Sequence, residues 1–114
     1  MVDKKIFKKL KIIIFGGSGF IGSHLAEALF KSGHDVTIAD LKKTKFIKKN
    51  IKFRKIDIKN QSNISKLIRQ KDIVYNFAAI ADIQEAYDNP IKTFQINIMG
   101  SAHILKSCVE CKVK

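Results

Sequence analysis

Two hydrophobic periods alternate along this chain. Ile12-Ile13-Ile14-Phe15 is a short unbroken run of β-branched and aromatic residues closed by Gly16-Gly17. That is the pattern of a strand covered on both faces, as in a parallel sheet. From Phe20 to Lys31 the residues Ile21, Leu25, Ala28 and Leu29 recur at helical spacing. Gly33 follows where a helix favours a C′ glycine. Asp35 to Asp40 reads as a second strand, and the lysine-rich stretch to Asn50 as loop or weak helix. Ile51 to Ile58 reads as a third strand, though its alternation is imperfect. Ser62 to Gln70 predicts a helix with Ile64, Leu67 and Ile68 on one face, and Asp72 to Phe77 a fourth strand. Ala78 to Asn89 is a loop with room for a short helical turn. Asn89-Pro90 joins an N-cap side chain to a proline at the first helical position. The helix it opens is predicted to reach about Cys111, with Phe94, Ile98, Ile104, Leu105 and Cys108 among its apolar positions. Strands alternating with helices predict an α/β fold built on a parallel, doubly wound sheet.

The segment between the first strand and first helix carries the chemistry. Gly16-Gly17-Ser18-Gly19-Phe20-Ile21-Gly22 places three glycines at the spacing of a dinucleotide loop, in the strand-to-helix context that such a loop requires. Gly16 permits the tight turn, Gly19 lets a pyrophosphate approach the backbone, and Gly22 allows close packing of the helix. The N–H groups near Phe20 and Ile21 then face the phosphates with the positive end of the helix dipole. The alternative is a tight turn with no ligand. Asp40 ends the second strand, 18 residues after Gly22. A carboxylate there accepts hydrogen bonds from adenosine ribose hydroxyls and repels a 2′-phosphate, which favours NAD over NADP. Lys42 and Lys43, just beyond, are the feature that would favour NADP instead. The expected architecture is therefore a Rossmann-type sheet with strand order 3-2-1-4 and a ligand crevice between strands 1 and 4.

Phe-Gly-Gly-Ser-Gly-Phe-Ile-Gly-Ser-His-Leu at residues 15–25 resembles the N-terminal signature of the NAD-dependent epimerase/dehydratase family, the extended short-chain dehydrogenases. Three further stretches resemble the family in order. Asp57-Ile58 is similar to the pair that contacts adenine after the third strand. Asn76-Phe77-Ala78-Ala79 is similar to the strand end along the cofactor, which implicates Ala78 and Ala79. Asn97-Ile98-Met99-Gly100-Ser101 resembles the Asn-x-x-Gly-Thr stretch, whose Asn supports the active site indirectly. The resemblance spans residues 11–112 and departs at Phe15, where the family often has Thr. It implies a cofactor site made by Gly16, Gly19, Phe20, Ile21, Gly22, Asp40, Asp57, Ile58, Ala78 and Ala79. It also implies nucleotide-sugar chemistry carried by a Ser or Thr after a fifth strand and a Tyr-x-x-x-Lys pair. Here Ala79 stands four residues after Tyr75, and Ile91 four after Tyr87. No catalytic residue is therefore assigned. Residues 1–10 read as a basic tail and 11–114 as a partial dinucleotide-binding domain, after about four strands and four helices, without the catalytic segment and substrate domain. A nucleotide sugar is an expected partner only if the C-terminal part is supplied. The fourth strand and helix would then expose a sheet edge and an apolar patch, which favours self-association.

Size, charge and cysteine content narrow the alternatives. The 114 residues suit a single domain. The chain carries 22 Lys+Arg against 10 Asp+Glu, a net charge of +12. Lys4, Lys5, Lys8, Lys9 and Lys11 hold part of the excess, and the stretch from Lys42 to Lys55 holds 8 more basic residues. Such a balance can signal nucleic acid. However, 20 of the 22 basic residues are lysine, alongside 19 isoleucines, which looks like compositional bias. With no nucleic-acid motif present, nucleic-acid binding or a purely structural role remains the alternative to cofactor binding. Cys108-Val109-Glu110-Cys111 lacks a second ligand pair, and His24, His34 and His103 supply none at matching spacing, so no metal is expected. Asp82, Glu85 and Asp88 read as a solvated acidic loop. No 18-residue apolar run predicts a membrane span, and the expected compartment is the cytoplasm.

Overall fold

In the computed structural model, which describes residues 8–114, the four strands form one parallel sheet. The part of the basic tail before Lys8, including Lys4 and Lys5, lies outside the described residues. Strand β1 is Lys11–Phe15, β2 is Asp35–Asp40, β3 is Lys52–Lys55 and β4 is Ile73–Asn76. Their order is β3-β2-β1-β4, the one expected. β1 pairs with β2 at Ile14↔Ile38 and with β4 at Ile14↔Tyr75. β2 pairs with β3 at Ile38↔Phe53.

Successive side chains of a strand point to opposite faces, so the unbroken run of β1 feeds two cores. Ile12 and Ile14 join Val36, Ile38 and Ala26 on one face, flanked by Leu25 and Leu29. Ile13 and Phe15 join Ala39, Ile56, Ile64, Ile68 and Ile104 on the other. Helix α1 (Phe20–Lys31) covers the first face; α2 (Gln61–Ile68) and α5 (Ser101–Glu110) cover the second. Ser65 and Ser107 share a 2.9 Å hydrogen bond between the hydroxyls of α2 and α5, with Ser107 fully buried.

Several boundaries differ from the sequence expectation. α1 presents Gly22, Ser23 and Ala26 inward, while Ile21 and Ala28 are exposed. Small residues face the sheet because the helix starts directly on the glycine loop, where a bulkier side chain would hold it off. α2 begins one residue early, with Asn60 Oδ1 accepting from the Asn63 N–H at 3.4 Å. It ends before Gln70, which adopts a left-handed φ of 63°. The imperfect alternation of β3 also has a cause. Ile51 and Phe53 pack on the α1 side, Ile56 and Ile58 on the α2 side, while Lys52 and Arg54 stay exposed at the sheet edge. The connection 41–50 is irregular, anchored by buried Ile47. After β4 comes a short helix, α3 (Ile83–Asp88), capped by Asp82. The predicted final helix is α4 (Pro90–Phe94), a π-helical segment (Gln95–Gly100) and α5 in continuous succession.

Candidate functional site

The carboxyl ends of all four strands open into one cavity of about 360 Å³. Gly16 and Gly19 form its floor; Asp40 and Leu41 close the β2 side; Asp57 and Ile58 follow β3; residues 77–81 follow β4. β1 lies between β2 and β4, so the cavity sits where the strand order reverses, the usual ligand position in such sheets.

Three glycines of the loop have distinct geometric reasons. Gly16 has φ +75°, and a Cβ there would lie 2.5 Å from the Phe77 and Ala78 backbone. It thus permits both the turn and the approach of β4. A Cβ on Gly22 would meet the Gly16 carbonyl oxygen at 2.6 Å and the Gly17 Cα at 2.7 Å. Its role is therefore contact with the loop itself rather than with the strand. Gly19 differs. A Cβ there would meet nothing closer than the Gly16 oxygen at 3.4 Å, so the space above it is open. Gly19 is also the N-cap of α1 and supplies no side-chain hydrogen bond, and the first turn contains no acidic residue. The positive end of a 12-residue helix is left without a carboxylate of its own. Phe20 and Ile21 are 74% and 66% exposed and, like Gly22, do not line the cavity.

Asp40 braces the loop. Its Oδ2 accepts from the Ser18 N–H at 3.1 Å and its Oδ1 from the Leu41 N–H at 2.7 Å. A carboxylate offers about four lone-pair sites, so acceptor capacity remains on this cavity-lining side chain. Thr44 Oγ1 donates to the Ser18 carbonyl at 2.9 Å, tying the lysine-rich connection to the same residue. Basic residues of that stretch also serve within the fold: Lys52 pairs with Asp35 at 3.0 Å and Lys48 approaches Glu27 at 4.0 Å.

The other wall is organised from the long helical rod. Asn76 Oδ1 accepts from the Ala78 N–H at 3.0 Å, and its Nδ2 donates to Ser101 Oγ at 3.2 Å. Asn97 grips Ile80 twice: the Ile80 N–H donates to its Oδ1 at 2.8 Å, and its Nδ2 donates to the Ile80 carbonyl at 2.9 Å. Asp57 Oδ1 accepts from the Lys59 N–H at 3.0 Å, fixing the turn that presents Ile58. Sequence reasoning missed Leu41, Ile80, Glu85, Lys92 and Ile96, which also line the cavity. Ile96 could have been found one residue before Asn97; Glu85 and Lys92 meet only through the packing of α3 on α4, 3.5 Å apart.

The remaining candidates take structural places. Asp82 Oδ1 accepts from the Glu85 N–H at 2.7 Å, and Asp88 accepts from Gln84 Nε2 at 3.1 Å, so the acidic loop is a capped helix. Cys108 and Cys111 are free thiols; burial, then the neighbouring Cys111, pushes the Cys108 thiol up from its ordinary pKa. Among the described residues no group of three or more His, Cys, Asp or Glu is placed to hold a metal. No helix among them is long and apolar enough to cross a membrane.

A family model described as NAD dependent epimerase/dehydratase family matches residues 12–114. The chain belongs to this family. It is 37% identical over 112 residues to a UDP-N-acetyl-alpha-D-glucosaminuronate decarboxylase of Bacillus cytotoxicus, covering 93% of this chain and 35% of the relative. It is 33% identical over 110 residues to a UDP-glucose 4-epimerase of Lactobacillus helveticus, covering 92% and 33%. The UDP-glucose 4-epimerase of Thermus thermophilus, solved as a complex with NAD, superposes with a TM-score of 0.85 at 26% identity, covering 92% of this chain and 35% of that one. The chain thus spans about a third of the length of these family members. Phe15, where the family often has Thr, is a fully buried core side chain beneath the loop.

Proposed function

We propose that this chain is the N-terminal, NAD-binding portion of a nucleotide-sugar enzyme of the epimerase/dehydratase family. The observation that carries the reading is the open space above Gly19, at the uncapped start of α1 and in the same cavity as Asp40. A Cβ-free backbone beside unsatisfied helical N–H groups suits a pyrophosphate. Asp40, already oriented by Ser18 and Leu41, keeps acceptor capacity for ribose hydroxyls and places negative charge where NADP would carry a 2′-phosphate. Asp57, Ile58, Ala78 and Ala79 supply the pocket for the adenosine half, and Asn97 steadies Ile80 behind it. NAD, when bound, supplies a hydride acceptor; this chain's residues bind and orient it. The printed names of the relatives support a UDP-sugar as the substrate class of the whole enzyme. Neither Tyr75 nor Tyr87 is followed four residues on by lysine, so the chain by itself is expected to bind dinucleotide and turn nothing over.

Calorimetric titration with NAD and NADP tests this. A ligand at a hundred times its Kd stabilises the fold by about 2.7 kcal/mol, so thermal melts give a second readout. NAD is expected to bind more tightly than NADP, and Gly19→Val to abolish binding while the fold persists, because the added side chain enters open space. Undiminished affinity in Gly19→Val would overturn the assignment.

A further inference from the structure

Ile58 is the apolar cavity wall after β3, yet it is fastened from behind by two residues of the helical rod that do not themselves line the cavity. Gly100 ends the π-helical segment. A Cβ built there would lie 2.8 Å from Ile58 Cγ1 and closer still to Ile58 Cδ1. One helical turn on, His103 Nδ1 lies 3.2 Å from the Ile58 carbonyl oxygen, to which it donates as the Nδ1–H tautomer or as the cation. The side chain and the carbonyl of Ile58 are therefore both set by one helix face. Neither Gly100 nor His103 lines the cavity. Ile58 also belongs to the packed cluster of Ile13, Phe15, Ile56 and Ile104. A close-packed core yields little, so an Ile58 displaced from the helix has one open direction, into the cavity.

We propose that Gly100 and His103 are positioning residues that set the depth of the adenine-binding end of the cavity by holding Ile58 back against the helix. The inference rests on the NAD-binding reading for its ligand, but its geometric part does not. In Gly100→Ala the new methyl displaces Ile58 into the space a base would occupy. In His103→Ala the Ile58 carbonyl loses its donor and the turn loosens. Asn at 103 offers Nδ2 at the place of the imidazole Nδ1 and should replace it.

The test uses the chain with NAD and with AMP as probes, alongside methyl-labelled isoleucine NMR. Gly100→Ala is expected to weaken NAD and AMP at least tenfold. Adding Ile58→Val, which removes the nearest clashing atom and leaves only the approach of Cγ1, should recover at least threefold of the lost affinity. His103→Ala should lose several-fold and His103→Asn should not. In the free chain, the NOE between the Ile58 δ1 methyl and Gly100 should be strong. Thermal melts of all variants identify any that fail to fold, and the His103 pair then decides. Unchanged affinity in both Gly100→Ala and His103→Ala, or a loss that Ile58→Val fails to recover, would overturn the proposal. If the unmodified chain binds neither NAD nor AMP, the cofactor reading falls. The NOE alone then decides the positioning of Ile58, and its absence overturns that as well.

Discussion

Asn97 joins the long helical rod to the loop after β4 through one side chain, and its removal has a calculable cost. Asn97→Ala deletes two neutral hydrogen bonds to Ile80, at 2.8 and 2.9 Å. Each contributes a net stability of about 0.5–1.5 kcal/mol, so two give about 1–3 kcal/mol. Ile80 is only partly buried, so water reaches the freed peptide groups, and the lower half of that range applies. The sharper variant is Asn97→Asp. It keeps an oxygen for the Ile80 N–H but turns a second oxygen toward the Ile80 carbonyl, where a donor stood. Two acceptors then face one another unless the carboxyl takes a proton. The fold therefore favours the protonated form, and the carboxyl pKa rises on folding. With that sign, the Asp variant is least perturbed at low pH. It loses stability as the pH rises from the unfolded value, about 3.9, through the raised folded value. Urea unfolding followed by far-UV circular dichroism at pH 4 and pH 7 reads both effects. Expected at pH 7 is the order Asn, then Ala, then Asp, with the Asp deficit shrinking at pH 4. An Asp variant as stable as the original at pH 7, or a deficit independent of pH, would refute the two-bond geometry.

Two further outcomes follow from the surface. The Lys52 ammonium, hydrogen-bonded to Asp35, holds that carboxyl below its ordinary pKa against the opposing effect of burial. A depressed folded pKa gives stability that is present above the unfolded value and lost as the pH falls through the folded one. Asp35→Asn should therefore cost under about 1 kcal/mol at pH 7 and flatten the acid limb below pH 4, as read from urea midpoints across pH; an unchanged acid limb would count against the pairing. The second outcome concerns association. Ile91 and Leu105, 73% and 66% exposed, lie on the outer face of the rod, and β4 has no strand on its other side among the described residues. The chain is expected to self-associate at high concentration, and Ile91→Lys with Leu105→Lys to reduce this in sedimentation experiments. Association unaltered by the two lysines would place the contact elsewhere.

Much of this protein was written locally. The run Ile12 to Phe15 has no polar break, and only a strand covered twice can bury every member, so a central parallel strand followed from the sequence. The glycine spacing and Asp40 likewise marked the loop and the strand end that line the cavity, because a tight turn, a bare backbone and a strand-end carboxylate are each a local requirement. Tertiary structure decided what depends on contact between distant segments. Ile21 and Ala28 matched the helical period as well as the buried residues did, but the approach of α1 to its own glycine loop chose Gly22, Ser23 and Ala26 to face inward. The π-helical turn at Gln95–Gly100 has no signal in a sequence that reads as one helix. Gly100 appeared as one letter of a motif; only the packing of the rod on β3's exit showed that it makes room for Ile58. Periodicity records which residues avoid water, whereas the depth of a cavity depends on which two surfaces meet, and that is settled when the chain closes on itself.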